Sequence, residues 1–339
     1  MNERYSRQIL FDKIGREGQQ RLLDARVFIM GCGALGASHA EMLARAGVGR
    51  LRIVDRDFVE YTNLQRQTLY SEQDAADRLP KAIAAKNRLA AVNSEVEVEA
   101  IVADVNNSNV ESLIAECDLV IDGTDNFQIR YLINDACVKR DVRWIYGAAV
   151  SGYGASMTVI PQETPCLRCI FEEMPDTGSS PTCDTAGVIM PIISSISAIQ
   201  VAEALKLLVG DTGSLHRSLI QVDIWENDWR KIKLSGPAPE CPCCGLGNYE
   251  FLEAEAGEFS AVLCGRDAVQ VAPPHPTTLD LPALAEKLRP HGDVKQNEYL
   301  VRFNTNGREV TVFRDARAII KGTSEVAEAR SIYSRFIGS

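Results

Sequence analysis

Two Cys-x-x-Cys pairs are the clearest chemical signal in this sequence of 339 residues. Cys166 and Cys169 form the first pair, Cys241 and Cys244 form the second, and Cys243 lies inside the second. Four thiolates at this spacing are typical ligands of a tetrahedral structural zinc ion. We therefore predict a zinc site made by the two pairs, with Cys243 left over and with redox-active pairs as the alternative. The long spacer between the pairs indicates that the metal joins distant segments.

A glycine-rich turn follows the short apolar run at 27–30. The turn has the pattern Gly-x-Gly-x-x-Gly, helix-forming residues follow it, and Asp55 stands about 20 residues further on, as in nucleotide-binding folds. Glycines let the backbone approach a phosphate, and the helix N-terminus favours the anion. Asp55 is placed to accept hydrogen bonds from ribose hydroxyls. The residues of the turn expected to contact the nucleotide are Gly31, Gly33, Ala34 and Gly36.

The stretch after Asp55 favours ATP over NAD. Arg66 and Lys81 supply two cations, and residues 62–67 supply several amides. A triphosphate requires such cations. An NAD-dependent dehydrogenase would instead need a proton-handling residue near the nicotinamide. Of the four histidines, His39 lies inside the helix after the glycine turn, where we expect it to pack rather than to catalyse.

Two further segments contain residues that are candidates for ligand binding or catalysis. Ligands of α/β sheets bind beyond the carboxyl ends of the strands, so we expect Asp125 and Asn126 to contact the ligand, and one of the two acids, Asp122 or Asp125, is a candidate to hold magnesium. Asp122 is either a ligand or a cap of the following helix. Cys183 lies in a segment rich in glycine, serine and proline. As a loop thiol it is either inert or a participant in catalysis.

The elements around these residues predict an α/β fold. Alternating strands and helices over 25–150 indicate a parallel, Rossmann-like sheet, and antiparallel strands after residue 150 make it a mixed sheet. We predict an ATP-binding domain with the zinc site at 1–248 and a small α+β domain at 249–339. The predicted strands are 27–30, 51–55, 96–102, 119–122, 144–148, 154–160, 218–234, 259–264, 298–303 and 308–314, and the predicted helices are 81–92, 108–115, 127–140, 280–289 and 324–335.

The composition is that of an ordinary globular protein, with 45% hydrophobic and 24% charged residues. A net charge of -10 argues against nucleic-acid partners, because these need a basic face. The N-terminus has no secretory signal, and the ten cysteines do not resemble a disulfide framework, so we expect a cytoplasmic protein. The apolar stretch 188–209 contains Pro191, Glu203 and Lys206, and is expected to be a buried helix rather than a membrane span.

Taken together, the motifs resemble those of the ThiF/MoeB/HesA family, the bacterial relatives of the ubiquitin-activating enzymes. The resemblance covers residues 4 to about 248 and is closest to the ThiF-type adenylyltransferases of thiazole biosynthesis. It implies ATP-dependent adenylation of the C-terminal glycine carboxylate of a ubiquitin-fold sulfur carrier ending in Gly-Gly, with release of pyrophosphate. The motifs that carry the resemblance lie at 4–8, 31–36, 63–67, 80–81, 124–126 and 182–187, and in both cysteine pairs.

The resemblance also implies roles for individual residues. Asp55 would bind ribose, Asp125 would bind magnesium, and Arg7 would reach the ATP phosphates of the other protomer, so a homodimer is implied. Cys183 is a residue that some relatives use in acyl transfer or sulfur relay. The residues implied to hold the phosphates are Asn63, Arg66 and Lys81, and Gln65 is also expected to contact the nucleotide.

Three alternatives remain open from the sequence. The carrier could belong to the molybdopterin branch, with the same chemistry. The nucleotide fold could also serve only as a carrier-binding scaffold, and an NAD-dependent oxidoreductase is a more distant alternative. For the C-terminal domain we predict either docking of a pathway protein or a stabilising role. The segment 264–266, Cys-Gly-Arg, is not expected to be a rhodanese loop.

Overall fold

The computed structural model describes residues 3–174, 182–254, 260–263, 267–273, 277–305 and 307–337. The chain divides into two compact units, Met1–Ala254 and Glu255–Ser339. This division lies after the predicted boundary at 248, because the helix Glu250–Glu253 packs on the first unit. The ring centroid of Phe251 lies 4.8 Å from that of Tyr131, and its backbone N–H donates to Asp135 at 2.9 Å.

The first unit consists of eight strands and, among its described residues, eleven α-helices. The strands are β1 Arg26–Met30, β2 Arg50–Asp55, β3 Glu97–Val102, β4 Leu119–Asp122, β5 Trp144–Val150, β6 Tyr153–Val159, β7 Ser218–Asp223 and β8 Asp228–Lys233. The helices are α1 Ser6–Ile9, α2 Gly15–Asp24, α3 Ala34–Ala46, α4 Glu72–Ala76, α5 Lys81–Val92, α6 Val110–Ile114, α7 Phe127–Lys139, α8 Leu167–Ile170, α9 Cys183–Ala186, α10 Met190–Val209 and α11 Glu250–Glu253. Short 3₁₀ turns lie at Glu3–Tyr5, Tyr61–Asn63 and Thr212–Ser214.

The eight strands form one mixed sheet in the order β3-β2-β1-β4-β5-β6-β7-β8. The pairs from β3 to β5 are parallel, and those from β5 to β8 are antiparallel. The predicted Rossmann-like mixed sheet is therefore confirmed. Both faces of its centre are apolar, since Val27 and Ile29 of β1 belong to one buried cluster, whereas Phe28 and Met30 belong to the other. Helices thus cover both faces, as parallel sheets require.

Three glycines let β1, α3 and the end of β4 approach one another closely. Gly31 has a positive φ of 80°, which favours glycine. A Cβ on Gly36 would overlap the carbonyl oxygen of Gly31. A Cβ on Gly123, just after β4, would lie 2.7 Å from that same oxygen. The turn that is expected to hold the nucleotide is therefore held by backbone packing against the neighbouring strand.

Helix α10 is the buried helix that the sequence predicts for 188–209. Among the described residues it is the helix long and apolar enough to cross a membrane, and 56% of its most apolar window is buried inside the protein. Its Gln200 donates to the carbonyl oxygen of Asp122 at 3.0 Å and lies 2.8 Å from His39 Nε2. Burial lowers the pKa of His39 to about 4, so this histidine packs as a neutral residue, as predicted.

The second unit is an antiparallel sheet with two α-helices among its described residues. The strand order is β11-β12-β13-β14-β10-β9, and α12 and α13 share its core. The sequence predicts three of these strands and both helices, but not the four-residue strands β10, β11 and β14. Residues 264–266 lie outside the described residues. The bounds are β9 Ser260–Leu263, β10 Ala268–Val271, β11 Asp293–Gln296, β12 Leu300–Thr305, β13 Arg308–Phe313, β14 Ala318–Lys321, α12 Leu281–Leu288 and α13 Val326–Phe336, with a 3₁₀ turn at Arg289–His291.

Candidate nucleotide site and metal centre

The glycine turn lies at the centre of the sheet, where the strand order reverses between β1 and β4. Ligands of open α/β sheets bind at this reversal, beyond the carboxyl ends of the strands. Gly33 precedes the 13-residue helix α3 and has no side chain to cap it, so no side chain at this position accepts a hydrogen bond from the first N–H groups of the helix. A Cβ on Gly33 would meet no protein atom nearer than 3.9 Å. The space in front of the helix is thus open to an anionic group.

Asp55 ends β2 and ties it to the glycine turn. Its Oδ2 accepts from the backbone N–H of Cys32 at 2.6 Å, and its Oδ1 accepts from that of Asp57 at 2.7 Å. Burial raises the pKa of the Asp55 carboxyl, while the nearby Lys81 ammonium opposes this shift. Lys81 begins α5 almost fully buried, with Nζ 3.3 Å from Asp57 Oδ2. The structure therefore brings Asp55 and Lys81, two of the residues predicted to bind the nucleotide, into one buried cluster of charged side chains.

The predicted phosphate-binding segment surrounds a 3₁₀ turn. Asn63 is buried, and its Oδ1 accepts from the backbone N–H of Glu60 at 3.1 Å. Arg66 is half-buried, with Nη1 donating to the Thr62 carbonyl at 2.9 Å, and Gln65 is exposed. Asn63 and Arg66 thus also stabilise the turn that carries them.

The two acidic residues at and after the end of β4 have different environments. Asp122 is fully buried and pairs with Arg130 Nε at 2.9 Å, and its other oxygen accepts from the Thr124 hydroxyl at 2.7 Å. It is not the cap of α7, because Asn126 Oδ1 accepts from the N–H of Ile129 at 3.3 Å. Asp125 is exposed at the same edge of the sheet. Asp125 is thus an acid at this edge that is accessible to a metal ion.

Arg130 is a structural residue that sequence reasoning did not single out. Its Nη2 donates to the carbonyl oxygens of Thr124 and Gly147, at 2.6 and 2.9 Å. It therefore joins the segment after β4 to the middle of β5. A buried arginine eight residues after an acid is not a recognisable sequence signal, because the pairing depends on how α7 packs against the sheet.

Arg7 lies far from the glycine turn of its own chain. The flanking Gln8 donates to the carbonyl of Ala46 at 2.8 Å, and Tyr5 contacts Gly47. Both contacts are at the C-terminal end of α3, whereas the glycine turn is at its N-terminal end. A helix of 13 residues separates these ends by about 18 Å. This distance exceeds the span of an arginine side chain.

Cys183 begins the short helix α9 and is half-buried. Its Sγ donates to the carbonyl oxygen of Ala149, at the carboxyl end of β5, over 3.4 Å. Since β5 pairs in parallel with β4, this thiol lies at the same edge of the sheet as Asp125. Residues 175–181, which precede it, lie outside the described residues.

The four predicted zinc ligands form one cluster, with all ligand atoms within 4.8 Å of one another. The Sγ atoms of Cys166 and Cys169 are 3.9 Å apart, those of Cys166 and Cys241 are 3.6 Å apart, and those of Cys169 and Cys244 are 3.3 Å apart. A tetrahedron with Zn–S bonds of about 2.3 Å has edges of about 3.8 Å. The donor set and spacing therefore fit zinc.

Residues outside the cluster hold these loops on α7. The Asn134 amide donates to Cys243 Sγ at 3.2 Å, and its oxygen accepts from the N–H of Leu167 at 2.8 Å. Cys243 is thus buried and is not one of the four clustered ligands, although its thiol also shares a hydrogen bond with that of the ligand Cys166. The cluster connects the segment after β6 with the segment after β8.

Comparisons with known proteins agree with this arrangement. The sequence matches the ThiF family over residues 5–243. The sulfur carrier protein ThiS adenylyltransferase of Bacillus subtilis strain 168 is 44% identical over 340 residues, which cover 100% of each chain. The molybdopterin-synthase adenylyltransferase of Escherichia coli K12 is 36% identical, over 71% of this chain and 96% of that protein. The crystal structure of E. coli MccB with ATP has a TM-score of 0.64 and 25% identity, over 72% of this chain and 74% of that chain.

The fold and the site define a Rossmann-like α/β protein with a four-cysteine cluster that could hold a metal ion. The chain belongs to the ThiF family, so the resemblance to the ThiF/MoeB/HesA group is confirmed. The relatives from Bacillus subtilis and Escherichia coli K12 named above, at 44% and 36% identity, are adenylyltransferases, in agreement with the predicted enzyme class.

Proposed function

We propose that this protein uses ATP to adenylate the C-terminal glycine carboxylate of a ubiquitin-fold sulfur carrier ending in Gly-Gly, releasing pyrophosphate. The observation that carries the proposal is the grouping of the glycine turn, the Asp55–Lys81 group and Asp125 at one edge of the sheet. The similarity of the whole chain to a ThiS adenylyltransferase favours a carrier of the thiazole pathway. The similarity to a molybdopterin-synthase adenylyltransferase supports the alternative, a carrier of the molybdopterin pathway.

The residues suit this reaction because it needs charge stabilisation rather than a base. A terminal carboxylate with a pKa of about 3.3–3.7 is already ionised at neutral pH. One of its oxygens attacks the α-phosphorus, the bond from that phosphorus to the bridging oxygen breaks, and pyrophosphate leaves with the electron pair. Two anions must approach each other, so cations in a preorganised site lower the barrier. Lys81 and Arg66 would hold phosphate oxygens.

Magnesium would complete this charge stabilisation. Asp125 offers an exposed carboxylate at the carboxyl end of β4, the type of ligand that magnesium binds together with substrate phosphates. The ion would neutralise charge on the phosphates when bound. Asp55 would accept hydrogen bonds from the ribose, and Asn63, Gln65 and Asn126 would line the nucleotide.

Pyrophosphate exchange tests the proposed function. We expect exchange of labelled pyrophosphate into ATP only when magnesium and a Gly-Gly carrier are both present, because the carboxylate is the acceptor. A thiazole-pathway carrier and a molybdopterin-pathway carrier should be assayed side by side, and the first should give the larger kcat/KM. Equal exchange without any carrier would contradict the proposal, and preference for the second carrier would assign the other pathway.

We also propose that the protein acts as a homodimer in which Arg7 serves the partner's site. About 18 Å of helix α3 separates the segment around Arg7 from the glycine turn of the same chain. Leu10 and Phe11, next to Arg7, have 73% and 57% of their surface exposed. Exposed apolar side chains of this size favour an interface, and a second copy of the chain would cover them.

A mixed dimer distinguishes action on the partner from action within one chain. Wild type paired with the double variant Arg7→Ala/Asp125→Ala should lose nearly all exchange, because each site then lacks one group. A wild-type dimer with Lys13→Ala/Asp125→Ala is the matched control, since Lys13 is an exposed cation on the same segment that pairs with Asp211. The control should keep about half of the wild-type rate. If the Arg7 mixed dimer also kept half, the shared site would be disproved.

The thiol of Cys183 would act after adenylation, in acyl transfer or sulfur relay, because attack on the α-phosphorus requires no thiol. Cys183→Ser should therefore keep carrier-dependent pyrophosphate exchange within about two-fold. It should lose any covalent carrier adduct detected by mass spectrometry under non-reducing conditions. Loss of exchange in a folded Cys183→Ser protein would instead assign the thiol to the first step.

We propose that the protein is cytoplasmic, because clustered free thiols persist in a reducing compartment, whereas an oxidising one favours disulfides. Cell fractionation would test this, and recovery in a membrane or extracellular fraction would contradict it.

A further inference from the structure

The carboxyl end of β4 is held by a side chain where the backbone ladder of the sheet stops. The pairing of β4 with β5 ends at Ile121 and Ile145. The next bond of a parallel ladder would run from the Gly147 N–H to the Asp122 carbonyl oxygen. Instead, this N–H donates to the Asp122 carboxylate at 3.4 Å, and the carbonyl oxygen accepts from Gln200 Nε2 at 3.0 Å. Gln200 of α10 therefore replaces a backbone bond at the edge of the sheet where the candidate nucleotide site lies.

The amide of Gln200 is fully buried and has three partners. Besides the Asp122 carbonyl, its Nε2 donates to the Ile145 carbonyl at 3.3 Å, and its Oε1 lies 2.8 Å from His39 Nε2. Because burial keeps His39 neutral, its Nε2–H can donate to Oε1, which orients the N–H groups of the amide toward the two strands. A Cβ on Gly147 would overlap this amide, so glycine at that position makes room for it.

The chain beyond Asp122 leads directly to Asp125, the candidate magnesium ligand. On the side of β1, the Gly123 N–H donates to the last carbonyl of that strand at 2.8 Å. On the side of β5, Arg130 of α7 binds the Asp122 carboxylate, and Gln200 of α10 binds its carbonyl oxygen. These helices pack on opposite faces of the sheet. The backbone that carries Asp125 is therefore fixed from both faces.

We infer that Gln200 is a positioning residue of the proposed reaction, which holds the end of β4 where Asp125 can reach the magnesium ion. The inference rests on the proposed function, which gives Asp125 this role. Gln200 itself would contact neither ATP nor the carrier, because it is fully buried between α10 and the sheet. A misplacement of about 1 Å caused by a distant mutation can lower a rate about 100-fold. A buried amide can therefore control the rate without touching a substrate.

Two variants remove this amide in different ways. Gln200→Met keeps the length of the side chain and removes its hydrogen-bonding groups. Gly147→Ala/Gln200→Ala removes the same groups and fills part of the space with a methyl group, so it keeps the test valid if the first variant proves unstable. The matched control is Thr158→Val, which removes a buried hydroxyl that donates to Glu203, about one turn further along α10, at 3.1 Å.

For each protein, four quantities should be measured in or beside carrier-dependent pyrophosphate exchange. They are kcat, the KM for ATP, the magnesium concentration that gives half of the maximal rate, and the melting temperature. We expect both Gln200 variants to lower kcat about 10- to 100-fold, because Asp125 is misplaced. They should also require more magnesium. Their KM for ATP should change little, since the contacts of Asp55 and Lys81 remain.

The control separates positioning from stability. Thr158→Val and Gln200→Met each lose a buried hydrogen bond between α10 and the sheet, so both should lower the melting temperature, by about 2–8 °C. The control should nevertheless keep the wild-type kcat and magnesium requirement, because it leaves the end of β4 in place.

Other outcomes would overturn the inference. If the Gln200 variants lost stability but kept the wild-type kcat and magnesium requirement, Gln200 would be purely structural while the proposed function stood. An equal loss of kcat in Thr158→Val would also refute the inference, because any damage to the α10 contact would then be sufficient. If wild type showed no carrier-dependent exchange, the proposed function would fail and the positioning role with it.

Discussion

Cys166→Ser should remove zinc from the protein and destabilise its first unit. Zinc bound to four thiolates contributes on the order of 10 kcal/mol in small metal-dependent folds, which is comparable with the whole stability of a typical domain, about 5–15 kcal/mol. Here the metal would join the segment after β6 to the segment after β8, with both segments held on α7 by Asn134. We expect the melting temperature to fall by more than about 10 °C. Calorimetry, with zinc measured by atomic absorption, would check this.

Cys243→Ser is the matched control for that variant. Cys243 adjoins the ligand Cys244 and hydrogen-bonds both Asn134 and the ligand Cys166, but it is not one of the four clustered ligands. The control should keep about one zinc per chain and most of its stability. Full metal content in Cys166→Ser, or loss of metal in Cys243→Ser alone, would show that the ligand set is wrong.

Asp125→Ala should abolish carrier-dependent pyrophosphate exchange without affecting the fold. The carboxylate is exposed, so its removal opens no cavity, whereas the adjacent buried pair of Asp122 and Arg130 keeps the end of β4 in place. Loss of a metal ligand removes several kcal/mol of charge stabilisation, which corresponds to a decrease of about 100-fold or more in kcat/KM. Exchange should be measured over a range of magnesium concentrations, since a lost ligand should also raise the concentration required.

The control for this variant is Glu116→Ala, which removes one exposed acid at the opposite edge of the sheet. Glu116 pairs with Arg26 at the start of β1, far from the carboxyl ends of the strands. It should keep wild-type exchange. Near-normal activity in Asp125→Ala, with an unchanged magnesium requirement, would exclude Asp125 from the site.

The local sequence was sufficient to predict those features that depend on the spacing of residues along the chain. The glycine turn, the acid at the end of β2 and the two cysteine pairs are each recognisable from a few neighbouring residues. The strands of the central sheet were also predictable, because both of their faces are apolar, as in the alternation of Phe28 and Ile29 between two cores. In the second unit, the four-residue strands β10 and β14 were missed although β9, of the same length, was predicted, because a pattern of four residues only sometimes distinguishes a strand from a loop.

Tertiary structure decided how side chains of similar type divide their roles. Asp122 and Asp125 lie three residues apart, yet one is buried against Arg130 and the other faces solvent, because the packing of α7 determines which acid finds a partner. The distance between Arg7 and its own glycine turn likewise follows from contacts between distant segments. Burial and orientation arise only when helices pack on the sheet, so no local pattern could have determined them.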